Sequence, residues 1–470
     1  MIKPQSRFIQ SANFANGLND WNTYTQDYEL DVLGLYDGAT SLINRAHTRT
    51  DALNLTNIYD NVTSANTMTL GYSAANRLQN ADGAWGSKTF TYDGVGNRIE
   101  ERVTPPGGSQ TISTLGYPAT SNRVTDITQG ATTVRSIGYD AAGNITSDNR
   151  LGSTYAYTYN DAGRLKTVSY EGNLKGTYTY NGQHQLIGRV ITNSGSENGT
   201  THYVHDRGGN VIAELDASGA TAREYIWLPE TEIAPTAASR AQIDRPIAVV
   251  DGVDTATPVT YYVHTDHLNR PIKMSDASKA IQWSAEYQPW DAVQSLSGPL
   301  TLDLRFPGQW FQLEAGLHYN WHRHYDPSLG RYTQPDPLGF VDGPSVYGYA
   351  RGNPYRYVDP DGRNPAGVCA LVPAACGTAI EKTVEVCLAI GTYIITQMSK
   401  KKEGFCSCSH RDRNKVGNED WACLRLRNQG ICTGPYKDTG TDTASCQANA
   451  RENAPTACRA CLGHCKFFSN

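Results

Sequence analysis

Residues 1–363 contain no cysteine, although the chain of 470 residues has 11. Disulfides or a thiolate-bound metal can therefore staple only the last part of the chain. Tyrosine has the opposite distribution, since only two of 28 follow residue 363. Residues 1–363 carry 28 Lys/Arg against 37 Asp/Glu, and residues 364–470 carry 13 against 9, so the net charge changes from −9 to +4. We therefore expect two regions of different chemistry that meet at this point.

Long apolar runs are also lacking. The first 20 residues hold no apolar stretch of the length that a signal peptide needs, although secretion or delivery to the cell surface is expected. The longest uncharged run of the apolar stretch 366–398 covers residues 366–380 and has 15 residues, which is short of the roughly 20 that span a membrane. We predict a buried or interfacial helix there. The repeat pattern is already under way by Tyr72, which indicates that the chain begins inside a longer architecture.

A degenerate motif recurs through the first region. An aromatic residue is followed by Asp or Asn, then by Gly four positions after the aromatic residue, then by Asn or Arg. Clear copies begin at Tyr92, Tyr139 and Tyr159, and the step from Tyr139 to Tyr159 is 20 residues. A period near 20 is typical of repeat arrays.

Each unit has the pattern of a β-hairpin. Residues 154–159 alternate aromatic with small side chains, residues 160–163 are turn formers, and the alternation resumes over 164–170. One hairpin is marginal alone, so the hairpins are expected to pair laterally into a long sheet. A β-sandwich with turns that are similar by chance is the alternative.

These units resemble the YD repeats of the RHS and teneurin families. The stretch 305–363 reads RFPGQ at 305–309, EAGLHYN at 314–320, RHYDP at 323–327, GRY at 330–332, DPLG at 336–339 and DPDG at 359–362. This stretch resembles the RHS-associated core. The resemblance implies a mainly β fold, with hairpins that coil into a hollow shell. The expected domains are a repeat region at 1–304, the core at 305–363, an apolar helical linker at 364–405 and a small α-containing, cysteine-rich effector module at 406–470.

Three departures from the family pattern are visible. The family's shells usually have more repeats, so about 360 residues are expected to form an incomplete wall with exposed edges. The intervals 97–138 and 215–264 lack recognisable copies of the motif. Four prolines within 229–262 predict a loop and an irregular excursion there.

Paired Asp-Pro-x-Gly motifs place Asp336 and Asp359 23 residues apart. The resemblance implies an intramolecular aspartyl protease that cuts the Arg363–Asn364 bond, where the composition also changes. Arg331 is a candidate for orienting a carboxylate or the backbone near the pair, although a structural role in its Gly-Arg-Tyr turn is the favoured interpretation. Two close carboxylates can share a proton, so that one acts as an acid while the other activates water. The family usually has Leu where Arg363 stands. Two structural turns are the alternative, because Asp-Pro and Asp-x-Gly are common turn sequences.

Residues 406–470 hold eight cysteines, a density that predicts covalent or metal staples in a segment with little core. Disulfides formed after export are the favoured interpretation, without any cofactor. The alternative is a zinc site at Cys458, Cys461, His464 and Cys465. Cys406 and Cys408 are further candidate ligands that could complete it.

The activity of this module is the least determined feature. The sequence has no GxSxG, HExxH, P-loop or zinc-deaminase signature. His410 and His464 are candidates for acid–base work on a phosphodiester, and the charge of +4 suits nucleic acid or a membrane surface.

The favoured function is that of a polymorphic toxin, in which the shell carries a C-terminal antibacterial effector, possibly a nuclease, and releases it by self-cleavage. The implied partners are a cognate immunity protein, secretion machinery and a target-cell nucleic acid or membrane, without a small-molecule cofactor. A non-enzymatic surface protein whose repeats bind carbohydrate, and an inactive orphan fragment, are the alternatives.

Overall fold

A computed structural model describes residues 11–26, 29–227, 245–340 and 343–363, with the backbone of four short strands beyond them. The chain divides into two compact units, Met1–Cys376 and Gly377–Asn470. Within these described residues, no helix combines the length and the apolar character that crossing a membrane requires.

The first unit is built on one antiparallel sheet of 26 strands. Each strand pairs with the next along the chain, except that the short β2 and β3 both pair with β4. The strands are Ser11–Asn13 (β1), Asn19–Trp21 (β2), Thr23–Tyr24 (β3), Leu30–Asp37 (β4), Thr40–Arg49 (β5), Leu55–Asp60 (β6), Met68–Tyr72 (β7), Leu78–Gly83 (β8), Gly86–Tyr92 (β9), Arg98–Thr104 (β10), Thr111–Gly116 (β11), Asp126–Gln129 (β12), Thr132–Tyr139 (β13), Ile145–Arg150 (β14), Ser153–Tyr159 (β15), Leu165–Tyr170 (β16), Asn173–Tyr180 (β17), Leu186–Ile191 (β18), Gly199–His205 (β19), Val211–Leu215 (β20), Thr221–Trp227 (β21), Pro246–Asp251 (β22), Val259–Thr265 (β23), Pro271–Ser275 (β24), Ile281–Tyr287 (β25) and Val293–Ser297 (β26). Single turns of 3-10 helix lie at Ser64–Asn66, Gly195–Glu197, Pro289–Asp291 and Ala350–Gly352.

The recurring motif forms the turn between two strands. In the copy between β13 and β14, Asp140 closes its own loop, because Oδ1 accepts from the Asn144 backbone N–H and Oδ2 accepts from Asn144 Nδ2, both at 2.8 Å. Gly143 has a φ of 93°, a conformation that glycine adopts without strain. The Asp, Gly and Asn of the motif therefore each have a separate role in the turn.

The aromatic residue of the motif links each hairpin to the one before it. Tyr92 OH donates to the carbonyl of Leu78 at 2.6 Å, and Tyr159 OH donates to the carbonyl of Ile145 at 2.7 Å. Tyr139 OH does the same to a carbonyl one hairpin back, at 2.9 Å. The repeat thus joins neighbouring hairpins by side chains as well as by the sheet ladder.

The meander continues through the two intervals that lack clear motifs. Strands β10 to β13 cross the interval 97–138 in regular antiparallel pairing. The expectation of an irregular excursion over 229–262 was wrong for β22 and the start of β23, which pair with β21 and with each other. Pro246 opens β22, where a missing N–H is tolerated, and the β-branched residues after it suit a strand. Residues 228–244 lie outside the described residues.

Side chains join the first strands of the sheet to the last ones. Arg45 on β5 bridges Asp60 at 3.1 Å and Glu286 on β25 at 2.7 Å. Lys279 pairs with Asp37 at 2.6 Å, across the same seam. The sheet therefore bends far enough for side chains of its first and last strands to meet, although no backbone pairing joins its edge strands β1 and β26 among the described residues.

The core region packs against the turns of the repeats in reverse order. It contains a four-stranded antiparallel sheet of Trp310–Gln312 (β27), Leu317–Asn320 (β28), Arg323–Asp326 (β29) and Arg331–Tyr332 (β30), followed by the pair Tyr357–Val358 (β31) and Ala366–Gly367 (β32). Its side chains donate to backbone carbonyls of successive turns: Trp321 to Gln183, Gln334 to Gly163, Tyr347 to Gly143 and Asn353 to Asn76, at 2.6–3.0 Å. The core is thus fastened to one repeat after another.

In the second unit the structure describes three strands, Phe405–His410 (β33), Tyr436–Asp438 (β34) and Leu462–Phe468 (β35). They form an antiparallel sheet with β33 in the centre. Cys408 is the register partner of Cys465 on one side and of Tyr436 on the other. The helix expected within 366–398 lies outside the described residues, apart from the two residues of β32.

Candidate active site

Asp336 and Asp359 both contact the guanidinium of Arg323, the first residue of β29. Nη2 of Arg323 is 2.9 Å from Asp336 Oδ2 and 3.0 Å from Asp359 Oδ2. Because both carboxylate oxygens contact the same nitrogen, the distance between them cannot exceed the sum of these two N–O distances. The three side chains are only 1% or 2% exposed. The structure thus brings together the two aspartates that the sequence analysis paired, with an arginine between them.

The two carboxylates have different surroundings. Asp359 Oδ2 accepts from Arg323 Nη2 and also from the hydroxyl of Tyr332 at 2.7 Å. Burial raises the pKa of Tyr332 well above its usual range, so its hydroxyl remains a proton donor. Burial also raises the pKa of Asp336, and this effect outweighs the opposing charge of Arg323. A pair of carboxyl groups with unequal environments is the arrangement that separates an acid from a base.

The loop that connects β28 and β29 holds the chain segment that follows Asp359. Nδ2 of Asn320 donates to the carbonyl of Asp359 at 2.8 Å. The backbone N–H of His322 donates to the carbonyl of Asp361 at 3.2 Å, and Nδ1 of His322 lies 2.9 Å from the same oxygen. Burial lowers the pKa of His322 to about 4, so the ring is neutral near pH 7. The carbonyls of Asp359 and Asp361 are therefore both held by the β28–β29 hairpin.

The end of the segment lies against the carboxylate pair. Nε of Arg323 donates to the carbonyl of Gly362, and the backbone N–H of Arg363 donates to Asp359 Oδ1 at 3.0 Å. The carbonyl carbon of Arg363 is two covalent bonds from that nitrogen. Gly362 has a φ of +71°, and a Cβ there would lie 2.3 Å from the carbonyl oxygen of Asn320. Arg363, which precedes the bond expected to break, therefore lies next to the carboxylates. Gly362 before it has a backbone conformation that requires glycine.

Arg331 binds groups of the repeats, in keeping with the structural role favoured for its Gly-Arg-Tyr turn. Nη1 donates to the hydroxyl of Tyr117 at 2.7 Å, and Nη2 donates to the carbonyl of Asn122 at 2.6 Å. These contacts fasten the core to the repeats rather than orienting the aspartates. The arginine that contacts both carboxylates is Arg323, which the sequence analysis did not single out. Its position in the RHYDP sequence of the core was visible, but nothing local indicated that its side chain would reach residues 336 and 359.

The side chains predicted to form a site in the cysteine-rich module lie outside the described residues. His410 ends β33 and His464 lies in β35, but of these strands only the backbone is described. Cys458 and Cys461 lie outside the described residues. Within the part of the chain whose side chains are described, no cluster of three or more His, Cys, Asp or Glu could hold a metal ion.

Two family models match the chain. The model described as RHS Repeat matches residues 139–175, and the model described as RHS protein matches residues 260–296. The chain is 28% identical over 340 residues to Double-stranded DNA deaminase toxin A of Burkholderia cenocepacia, an alignment that covers 64% of this chain and 22% of that protein. It is 41% identical over 101 residues to Toxin protein Tse5 of Pseudomonas aeruginosa, which covers 22% of this chain and 8% of that protein. The chain spans less than a quarter of either relative.

Among solved structures, the crystal structure of TcdB2-TccC3 superimposes with a TM-score of 0.59 at 18% identity, over 75% of this chain and 19% of that chain. This similarity confirms the predicted fold, a mainly β shell of repeated hairpins. The repeat motif, the two family matches and the similarity to these relatives support an RHS/YD-repeat protein.

Proposed function

We propose that this chain is the C-terminal part of an RHS polymorphic toxin. Residues 1–363 act as the carrier, and residues 364–470 are the effector that is released by cleavage of the Arg363–Asn364 bond. The observation that carries the proposal is the buried Asp336–Arg323–Asp359 cluster, with the Arg363 N–H bound to one of its carboxylates. The similarity to two proteins named as toxins supports the same class.

The proposed cleavage is a hydrolysis. Asp359 accepts a proton from a water molecule as the water oxygen bonds to the carbonyl carbon of Arg363. Asp336, which burial favours in its protonated form, donates its proton to the amide nitrogen of Asn364 as the C–N bond breaks. The products are a carboxyl group on Arg363 and an amino group on Asn364, and a proton exchange with solvent restores the starting state of the pair.

Cleavage is tested by expressing the full chain and sequencing the N-termini of its products. The wild type should yield a C-terminal piece of 107 residues that begins at Asn364. Asp336→Asn and Asp359→Asn should each leave the chain intact, because an amide can neither supply the shared proton nor activate water. Asp140→Asn, in a repeat turn, is the matched control and should be cut like the wild type. An intact wild-type chain would instead favour two structural turns.

We further propose that the effector is a nuclease delivered to competing cells, after secretion or display at the cell surface, and that an immunity protein protects the producer. The charge of +4 and the two histidines support a nucleic-acid target. Expression of the full chain should arrest bacterial growth, and either His410→Ala or His464→Ala should relieve the arrest. If neither does, damage of a target membrane through residues 366–402 becomes the better account, and dye leakage from anionic vesicles tests it.

Disulfides, rather than zinc, are proposed to hold the effector together. Eight cysteines within residues 406–470 accompany few large apolar side chains, so staples have to replace a core. Reductant should unfold the module and abolish its toxicity, whereas a chelator should have no effect. Metal analysis that finds about one zinc ion per chain, with unfolding by chelator, would establish the zinc alternative.

A further inference from the structure

We propose that His47 and His267 form an acid-sensitive latch on the seam where the first strands of the large sheet meet the last ones. This inference goes beyond the proposed function and does not depend on self-cleavage. His47 lies on β5, and His267 lies in the turn between β23 and β24. The centres of the two rings are 5.4 Å apart. The latch is thus a contact between two imidazoles from opposite ends of the sheet.

The seam depends on side chains. Among the described residues, no backbone hydrogen bond joins the first strands to the last ones. The contacts that cross the seam include the pairs Arg45–Glu286 and Lys279–Asp37, and Asn16 Nδ2, which donates to the carbonyl of Asp276 at 2.8 Å. A junction made of a few side-chain contacts can be opened by a change of charge within it, whereas a continuous ladder of backbone hydrogen bonds cannot.

Each ring of the latch is held by one backbone carbonyl. His47 Nδ1 is 3.2 Å from the carbonyl oxygen of Asp31, on β4, and His267 Nε2 is 3.1 Å from that of Tyr355, in the core. The ring of Tyr355 also stacks on His267, with 9° between the two planes. Because a carbonyl only accepts, these two nitrogens carry the N–H groups of neutral rings. The latch therefore joins the first strands, the last strands and the core.

The second nitrogen of His47 has no place for a proton. Nε2 is buried and has no hydrogen-bond partner. An added proton would create a buried N–H without an acceptor, 5.4 Å from the centre of a second imidazole. Burial lowers the pKa of His47 well below its usual value and that of His267 to about 4, so both rings are neutral near pH 7.

The charged groups around the pair do not offset an added proton. The groups that face the two rings are Arg45 and Arg49 on β5, Asp266 and Arg270 in the turn, and the Tyr355 hydroxyl side of the core. Oδ2 of Asp266 is 2.8 Å from Arg270 Nη2, and its Oδ1 accepts from the backbone N–H groups of Leu268 and Arg270. The carboxylate that faces the latch is thus already engaged, while the arginines repel a second positive charge.

Acid therefore favours an open seam. A histidine whose pKa is lowered in the closed form stabilises that form above about pH 6.5, its pKa when exposed, and loses this contribution as the pH falls toward 4. At pH 5 the open form should gain about thirtyfold for each ring that reaches water. Both rings together should give an increase of roughly several hundredfold between pH 7 and pH 5.

Hydrogen exchange of the full chain, corrected for the pH dependence of the intrinsic rate, measures this opening. We expect the protection of β5 and of the turn 266–270 to fall by roughly several hundredfold between pH 7 and pH 5, and to return on neutralisation. Strands β15 to β17 are the internal reference, since none of them contributes a residue to the seam contacts described above, and they should lose much less.

The test variant combines His47→Asn with His267→Gln. Each amide nitrogen can replace the ring nitrogen that donates to the carbonyl, but neither amide takes up a proton. This variant should lose the acid effect on β5 and on the turn. His202→Gln is the matched control, because His202 is exposed on β19. The control should open in acid as the wild type does.

Equal loss of protection in the wild type and in the folded double variant would overturn the inference. A loss in β15 to β17 as large as that in β5 would also overturn it, because the whole unit would then be unfolding. If circular dichroism shows that the double variant does not fold, His267→Gln alone decides the question. It should remove about thirtyfold of the acid effect, and an unchanged effect overturns the latch. All the measured residues precede Arg363, so the result is independent of whether the chain is cut.

Discussion

Replacement of Asp326 by Asn should destabilise the first unit by breaking a buried ion pair between the core and the repeats. Asp326 Oδ2 lies 2.6 Å from Nη2 of Arg135, which is also paired with Asp148 at 2.5 Å. Burial alone would raise the pKa of Asp326, but the charges of Arg135 and Arg150 outweigh burial and lower the pKa to about 2. Relative to the ordinary value of 3.8, this corresponds to about 2 kcal/mol of stabilisation.

The pH dependence follows from the sign of this change. A carboxyl group whose pKa is lower in the folded state stabilises the protein above its unfolded pKa, near 3.9, and loses that contribution as the pH falls toward 2. Asp326→Asn should therefore cost about 2 to 3 kcal/mol at pH 7, somewhat less than the loss of an isolated buried partner, since Asp148 still pairs with Arg135. At pH 2.5 the cost should fall below about 1 kcal/mol.

Urea unfolding followed by tryptophan fluorescence measures this difference, because seven of the eight tryptophans precede residue 363. Glu100→Gln is the matched control. It also removes one negative charge, but its partner Arg102 is 45% exposed, so the cost should stay below about 1 kcal/mol. The reasoning is refuted if Asp326→Asn shifts the urea midpoint no more than the control does at pH 7, or if its effect is unchanged at pH 2.5.

Three further predictions concern the cleaved segment and the repeats. Gly362→Ala should abolish cleavage, since its Cβ would clash with the Asn320 carbonyl, whereas Gly316→Ala, at a φ of +63° with open space around it, should still be cut; equal cleavage of both would contradict this. Cleavage should decline on the alkaline side as Asp336 loses its proton, and burial should place this limb above the ordinary carboxyl pKa of about 4; a rate that is flat up to pH 9 would exclude Asp336 as the acid. Tyr159→Phe should lower stability by about 1 to 3 kcal/mol in urea unfolding, because the carbonyl of the preceding hairpin loses its donor; an unchanged midpoint would show that this bond adds nothing.

The hairpins of the first unit could be predicted because their signals are local. Alternation over 154–159 and the turn at 160–163 specify a strand, a reversal and a strand within one short stretch, and the structure has β15 and β16 there. The prolines of 229–262 predicted an irregular segment, whereas β22 and the start of β23 form paired strands there. A proline at the first position of a strand is compatible with a sheet, and sequence alone did not reveal that Pro246 occupies that position.

The contacts of the candidate site could be predicted only in part from the local sequence. Two Asp-Pro-x-Gly turns can be read along the chain, and their pairing followed from the family resemblance. The choice between Arg323 and Arg331 could not be made in that way, since both lie in similar polar stretches of the core. Their roles differ because the fold directs one guanidinium to the aspartates and the other to Tyr117 and Asn122.

By itself, the sequence determined the class of fold and the repeating hairpin, and it predicted a boundary near residue 363 and the pair of aspartates before it. Each of these depends on residue types at short spacing or on composition. Only the tertiary structure decided that the first strands meet the last through Arg45, that the core contacts the repeats in reverse order, and that Arg323 lies between Asp336 and Asp359. These contacts join residues that are far apart along the chain, and the curvature of the whole sheet brings them together.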